Sequence, residues 1–324
     1  MKKTTNQKHD IEKYPLAVLG DFAWDVLIRT NSKLLPGGDT FGEVMYAPGG
    51  SAANAAVWAR RCGMPVKFVG KIGRDRFGRL AAENLEWEDV EAHFIQTDEH
   101  RTAAVAVWID ENGQRSMVSG RGADFYLLRS ELPVPLLKKA EHLHLTAWSL
   151  FTDPPRSAAL LAAKTVKDSG GTISLDPASF QLIGKIGKDN CLRWMTDIKP
   201  DIFFPNLEEG QALTGKSDPD KIISALTELF GNALIALKLD ANGAMVRDKG
   251  NIVHIPSPAN SIIDATGAGD SFAGAFLSRF LKNNDAICAT RFAVEISTWV
   301  VNHISARPTP DDELKRMLKR KFSR

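Results

Sequence analysis

Cysteine is scarce: three residues in 324, Cys62, Cys191 and Cys288, are an odd and widely spaced set that suggests neither a disulfide framework nor a zinc site. An excess of charge is also missing. Lys plus Arg number 41 against 39 Asp plus Glu, a formal net charge of +2, and such a balance gives no support to a nucleic-acid partner. No apolar run approaches the roughly 18 residues of a membrane span. The stretch Leu16 to Leu19 behind the polar N-terminal residues is too short for a signal peptide. What is present is 44% hydrophobic content, enough for one large α/β core with a small appendage. A reduced, soluble, cytoplasmic protein is the expectation.

The most informative stretch runs from Ile263 to Phe276, where Gly267-Ala268-Gly269-Asp270 leads into a helical pattern with Phe272, Phe276 and Phe280 four apart. A helix starting near Gly267 or Ala268 leaves its first N–H groups open, and with the positive end of its dipole they make an anion site. Asp270 would stand beside that anion and repel it, which calls for a chemical reason: a general base that takes a proton from an attacking hydroxyl. A Gly-rich turn with an acid favouring the dipole explains the same residues. Two better-known nucleotide patterns do not fit here, because a third glycine is missing for G-x-G-x-x-G and no Lys follows for a P-loop. Elsewhere Gly210 to Ser217 matches G-x-x-x-x-G-K-[ST] letter for letter. Pro205 to Glu209 intervenes between strand and glycine, however, and the segment reads as a short helix closed by Gly215.

Three further groupings bear on chemistry. Asn206 and Glu209 follow a strand and offer an amide and a carboxylate on one helical turn, suited to holding Mg²⁺ through water or to starting a helix. Asp25 with Gly49, Gly50 and Asn54 could grip the paired hydroxyls of a sugar, or cap a helix at a tight turn. His142 and His144 share one strand face, but no third ligand accompanies them, so they read as structural.

Strands are expected at 16–20, 66–70, 142–146, 172–175, 201–204 and 234–239, and helices at 51–61, 75–87, 155–168, 207–214, 219–230, 270–282 and 285–303. This alternation predicts an α/β fold, a mostly parallel central sheet with helices on both faces. Between 102 and 119 the rhythm breaks into a hairpin about Asp110-Glu111-Asn112-Gly113. With a short strand near 41–46 it forms a small β-sheet lid over the active site.

Asp264-Ala265-Thr266-Gly267-Ala268-Gly269-Asp270-Ser271-Phe272 resembles the C-terminal signature of the ribokinase (PfkB-type) family of carbohydrate and nucleoside kinases. Pro48-Gly49-Gly50-Ser51-Ala52-Ala53-Asn54, with Phe68 to Gly78, resembles its N-terminal signature, and Asn206-x-x-Glu209 is a third piece. The resemblance runs in order over nearly the whole chain. It implies a ribokinase-like kinase domain over 14–308, with lid insertions at about 31–48 and 100–121 and a C-terminal helical tail at 309–324. It also implies ATP and Mg²⁺ as cofactors, a homodimer through the lid, and phosphorylation of a primary hydroxyl of a sugar or sugar acid. Asp270 would be the base, with Gly267, Ala268 and Gly269 around the transferring phosphoryl group. Asn206, Lys238, Asp240 and Gly243 would serve the nucleotide, Glu209 the magnesium, and Asp264 with Thr266 a monovalent cation such as K⁺. Ala23 stands where the family often has an Asn, and Asp240 where it has a Gly. A nucleoside kinase, with Phe41, Tyr46 or Trp108 stacking on a base, and a non-catalytic sugar-binding protein are the competing readings. Among the lid arginines Arg101, Arg115 and Arg121, the last is the candidate to read a negative group on a sugar acid.

Overall fold

The computed structural model describes residues 13–33, 35–109, 115–231, 233–248, 250–258 and 262–320. The N-terminal tail, the Asp110 to Gly113 turn and the last four residues fall outside that set. In chain order the strands are β1 Leu16–Leu19, β2 Ala23–Thr30, β3 Gly42–Gly49, β4 Val66–Gly73, β5 Glu91–Thr97, β6 Ala103–Ile109, β7 Arg115–Ser119, β8 His142–Thr146, β9 Thr172–Asp176, β10 Ile202–Phe203, β11 Leu234–Lys238, β12 Ala244–Asp248 and β13 Asn251–Ile255. Nine of them make one sheet in the order β13-β12-β11-β10-β9-β8-β1-β4-β5, parallel except for the antiparallel β12 and β13.

Why the sheet is covered on both faces is visible in β1. Leu16 and Val18 point into one core and Ala17 and Leu19 into the other, all four fully buried, as a period of two requires. On the first face lie the helices Ser51–Arg61, Arg76–Trp87, Ala268–Asn283 and Ala286–Val301; on the second lie Pro155–Asp168, Lys188–Ile198, Leu207–Thr214 and Pro219–Phe230. Small residues bring two of these helices unusually close. A Cβ added at Gly274 would sit 2.5 Å from the Ala55 carbonyl and 2.7 Å from the Ala59 nitrogen, so the Ala-rich Ser51–Arg61 helix lies directly on the backbone of Ala268–Asn283. Across that second helix Phe276 stacks with Phe272 and Phe280, the four-residue spacing seen in the sequence.

The lid is a four-stranded sheet, β3-β2-β6-β7, and it differs from the expected one. It starts at Ala23 rather than near residue 31, because β2 leaves the main sheet immediately after β1 and pairs with both β3 and β6. Asp25 therefore belongs to the lid. Strands β5, β12 and β13 and the helices Phe180–Ile186 and Lys188–Ile198 were not expected either. The C-terminal helix Asp312–Lys319 is docked rather than loose, with Leu314 fully buried in the first core.

Candidate active site

Strand order reverses at β1, whose neighbours β8 and β4 lead the chain away on opposite sides, and ligand sites of open α/β sheets lie at the strand ends of such a point. A cavity of about 380 Å³ opens there. Its floor comes from Asp21, Asp176 and Lys238 after or at the ends of β1, β9 and β11, one wall from Gly267, Gly269 and Asp270, and its roof from β6 and β7 of the lid. Of the residues singled out in the sequence it collects Asp25, Gly50, Asn54, Asn206, Glu209, Lys238, Thr266, Gly267, Gly269 and Asp270.

The close helix pair sets the central contact. Asn54 Nδ2 donates to Asp270 Oδ2 at 2.8 Å, across 216 residues of chain. Enclosure pushes the Asp270 carboxyl up to about 7; the Asn54 bond and Lys238 oppose this, while Asp176 and Asp21 add to it. At the helix start the Ala268 N–H turns back to the Ala265 carbonyl at 3.3 Å, and the Ser271 N–H reaches Gly267 at 2.8 Å. Among the described residues no acceptor takes the N–H of Gly269 or Asp270. Of the first N–H groups expected to be open at this helix start, those of Gly269 and Asp270 are.

Lys238 approaches this turn. Its Nζ lies 3.1 Å from where a Gly269 Cβ would be, and it pairs with Asp176 at 2.7 Å, both side chains nearly buried. The two readings of Asn206 and Glu209 prove compatible. The Asn206 side chain accepts from the Glu209 N–H and Glu209 Oε2 from the Asn206 N–H, each at 2.8 Å, a reciprocal cap between two residues that both line the cavity. Burial first, then Asp176, pushes Glu209 up to about 8. Among the described residues no three acidic, His or Cys side chains are grouped to hold a metal directly. The hard carboxylates of Glu209 and Asp176 at the cavity fit a magnesium ion held mostly by phosphate and water. Asp240 and Gly243 occupy the turn between β11 and β12 and do not line the cavity. Asp264 accepts from the N–H groups of Thr266 at 2.6 Å and Ser305 at 2.9 Å, tying the loop before the helix to the segment after Ala286–Val301.

On the lid side Asp25 is pushed up to about 6 by burial against the pull of Arg307, and any Cβ at Gly49 would meet its carboxylate at 2.5 Å. Asp21 caps the Ser51–Arg61 helix by accepting from the Ser51 and Ala52 N–H groups. Asp124 is pushed up to about 8 by burial and by Asp21. Among the described residues its Oδ1 and the Thr152 hydroxyl are buried without a partner, and both residues line the cavity. Lys71 also lines it but is neutralised by both oxygens of Glu131, at 2.7 and 2.8 Å. Arg101 and Arg121 are exposed and outside the lining, and the Arg115 side chain lies outside the described residues. Phe41 and Tyr46 are exposed, and with Trp108 they stand outside the lining; Phe125 and Trp148 are the aromatic residues within it.

Sequence reading passed over Asp21, Lys71, Asp124, Asp176 and Arg307. Asp176 carried a usable signal, an acid closing a buried strand at the ligand end of the sheet; Arg307 carried none. The P-loop match dissolves as expected. Leu207–Thr214 is a helix, Gly215 its left-handed cap at φ 71°, and Lys216 is exposed. Lys216→Ala should therefore leave kcat and the KM for ATP within ~2-fold of wild type, the usual outcome at a surface site; a lost ATP response in steady-state kinetics would restore the P-loop. His142 bonds Thr172 and Ser174, and His144 bonds Ser174, as structural histidines do.

The profile of the pfkB family carbohydrate kinases matches residues 15–313. A fructokinase of Escherichia coli is 31% identical over 269 residues, 81% of this chain and 82% of that one. The crystal structure of adenosine kinase from Sinorhizobium meliloti superposes with a TM-score of 0.82 at 21% identity, covering 91% of this chain and 96% of that one. A putative ribokinase II from E. coli in complex with ATP and Mg²⁺ gives 0.79 at 23%, covering 90% and 94%.

Proposed function

The chain belongs to the pfkB family of carbohydrate kinases, and from that premise we propose that it transfers the γ-phosphoryl group of ATP to a primary hydroxyl of a neutral sugar, a ketohexose first. One observation carries the reading: Asp270, ending the hydrogen bond from Asn54, stands in the same helical turn as the open Gly269 N–H, so base and anion site share one place. Asp270 takes the proton of the attacking hydroxyl as the oxygen–phosphorus bond forms, and ADP leaves. The Gly269 and Asp270 N–H groups and the Lys238 ammonium meet the charge on the transferring group. Magnesium, held through Glu209, would supply positive charge to the phosphate oxygens. Asn206, Lys238 and the Asp240–Gly243 turn are assigned to the nucleotide, and Asp25, Gly49, Gly50 and Asn54 to the sugar. The lid would exclude water that otherwise accepts the phosphoryl group.

Charge supports a neutral acceptor. Asp21, Asp25 and Asp124 face the sugar end, and among the described residues the lining cations are Lys71, already paired with Glu131, and Lys238 at the phosphate end. A coupled assay should give the highest kcat/KM with a neutral ketohexose, and at least ~10-fold less with 2-keto-3-deoxygluconate, whose carboxylate would be desolvated at the sugar end without an unpaired cation among the described residues to meet it. Preference for the anionic sugar, or for adenosine, would overturn this choice of substrate. The Asp264–Thr266 loop is where potassium would act, tested by exchanging K⁺ for Na⁺. The outer lid face, with Val44, Tyr46 and Val118 exposed, is assigned to a second copy of the chain, to be checked by light scattering. Its cysteines are free, in keeping with a reducing cytoplasm.

A further inference from the structure

Arg307 is charged, 6% exposed, and absent from every motif. It arrives from the segment after the Ala286–Val301 helix and donates three hydrogen bonds: Nε to Asn54 Oδ1 at 2.6 Å, one terminal nitrogen to Asn84 Oδ1 at 2.9 Å, the other to the Gly49 carbonyl at 2.9 Å. Its guanidinium also lies 5.4 Å from the centre of the Phe22 ring. A buried cation is expensive without full satisfaction, and here the acceptors are neutral rather than a paired carboxylate. Two of them, Asn54 and Gly49, belong to the segment that borders both Asp270 and Asp25.

We infer that Arg307 is a positioning residue for phosphoryl transfer: through Asn54 it fixes which end of the amide faces Asp270, and so keeps the base supported in its ionised form. A guanidinium can only donate. The Asn54 oxygen must therefore face Arg307, and the Asn54 NH₂ must face Asp270 Oδ2, where it donates at 2.8 Å. A flipped amide would put oxygen against oxygen and could bond Asp270 only once that carboxyl is protonated and useless as a base. The other charges that face Asp270 are Asp21 and Asp176, which favour its protonation, and Lys238 and Arg307, which favour its ionisation. Removing the amide's enforced direction leaves the two acids less opposed.

The inference rests on Asp270 being the base, and its test separates the two. In the full-length enzyme the acidic limb of the kcat–pH profile is measured with ATP and the preferred sugar. Arg307→Gln, which can accept as well as donate, should move that limb upward by about one pH unit and lower kcat at neutrality ~5-fold, with the KM for ATP little changed. Arg307→Lys, a donor only, should retain the wild-type limb even where its kcat is lower. Asn54→Ala should show the same upward shift, and Arg307→Gln should add nothing to it in that background. Asn54→Ala leaves the guanidinium in place and so decides the matter should Arg307→Gln not fold. An unmoved limb in folded Arg307→Gln or in Asn54→Ala, with Asp270→Asn inactive, overturns the positioning role alone. An active Asp270→Asn overturns the base assignment first.

Discussion

Asp270→Asn is expected to lower kcat by at least ~10²-fold while the KM values for ATP and sugar change little, because proton removal is lost and shape is kept. Asparagine fills the same space and can still accept from Asn54 Nδ2. The wild-type profile supplies an independent check. Enclosure holds Asp270 up to about 7, so its ionised, working form is depleted as pH falls through that value. Activity should drop on the acid side of about pH 7, and the residual activity of the variant should lack that limb. Steady-state kinetics over pH 5.5 to about 9, with isothermal titration of ATP to show that binding survives, would test both at once. A variant with near wild-type kcat would remove Asp270 from the mechanism.

The parts of the site legible in the sequence are those where one short segment supplies several functions. Gly267 to Asp270 gives turn, helix start and acid within four residues, and Asn206 with Glu209 gives a reciprocal cap within one turn. Local steric and capping rules suffice for these. The parallel sheet was readable for a similar reason, since its strands are buried on both faces and appear as short apolar runs between helical patterns. The false P-loop was rejected on the same kind of local context.

What escaped has no local signature. β2 is mostly half-buried, with only Ala23 and Leu27 buried, and nothing in Ala23–Thr30 says that the chain has left one sheet for another. β5, Glu91–Thr97, is half-exposed and polar. Arg307 meets Asn54 across 253 residues, and Asp176 meets Lys238 across 62. The first forms because the segment after Ala286–Val301 folds back onto Ser51–Arg61, the second because β9 and β11 flank β10 in the sheet, and propensity and periodicity carry neither packing fact. The lid arginines show the converse. Their charge was visible, but their direction was not, and the two whose side chains are described face solvent.

Gly267→Ala should be as damaging as loss of the base, with kcat/KM down by at least ~10²-fold although only one methyl group is added. Gly267 sits at φ 75°, where an alanine costs about 1 kcal/mol or more by its own backbone. The larger effect is contact: the new Cβ would lie 2.6 Å from both the Cα and the Cβ of Ala306 and 2.9 Å from its carbonyl oxygen. Ala306 cannot easily retreat, because Trp58 Nε1 donates to its carbonyl at 2.9 Å and the Ser305 N–H is bound to Asp264. Relief must come from moving the helix start, which carries the Gly269 and Asp270 N–H groups, or from moving the segment that carries Arg307. Either displaces catalytic groups by a fraction of an ångström or more. Gly269→Ala is the matched comparison, since its Cβ would meet only the side-chain end of Lys238, 3.1 Å away, and no backbone. Its loss should be nearer ~10-fold and fall mainly on the KM for ATP, as Lys238 shifts from the phosphate site. Melting temperatures of both variants would separate unfolding from misplacement. If Gly267→Ala keeps near wild-type kcat/KM, or if Gly269→Ala proves the more damaging, the contact between this loop and Ala306 does not set the geometry of the anion site.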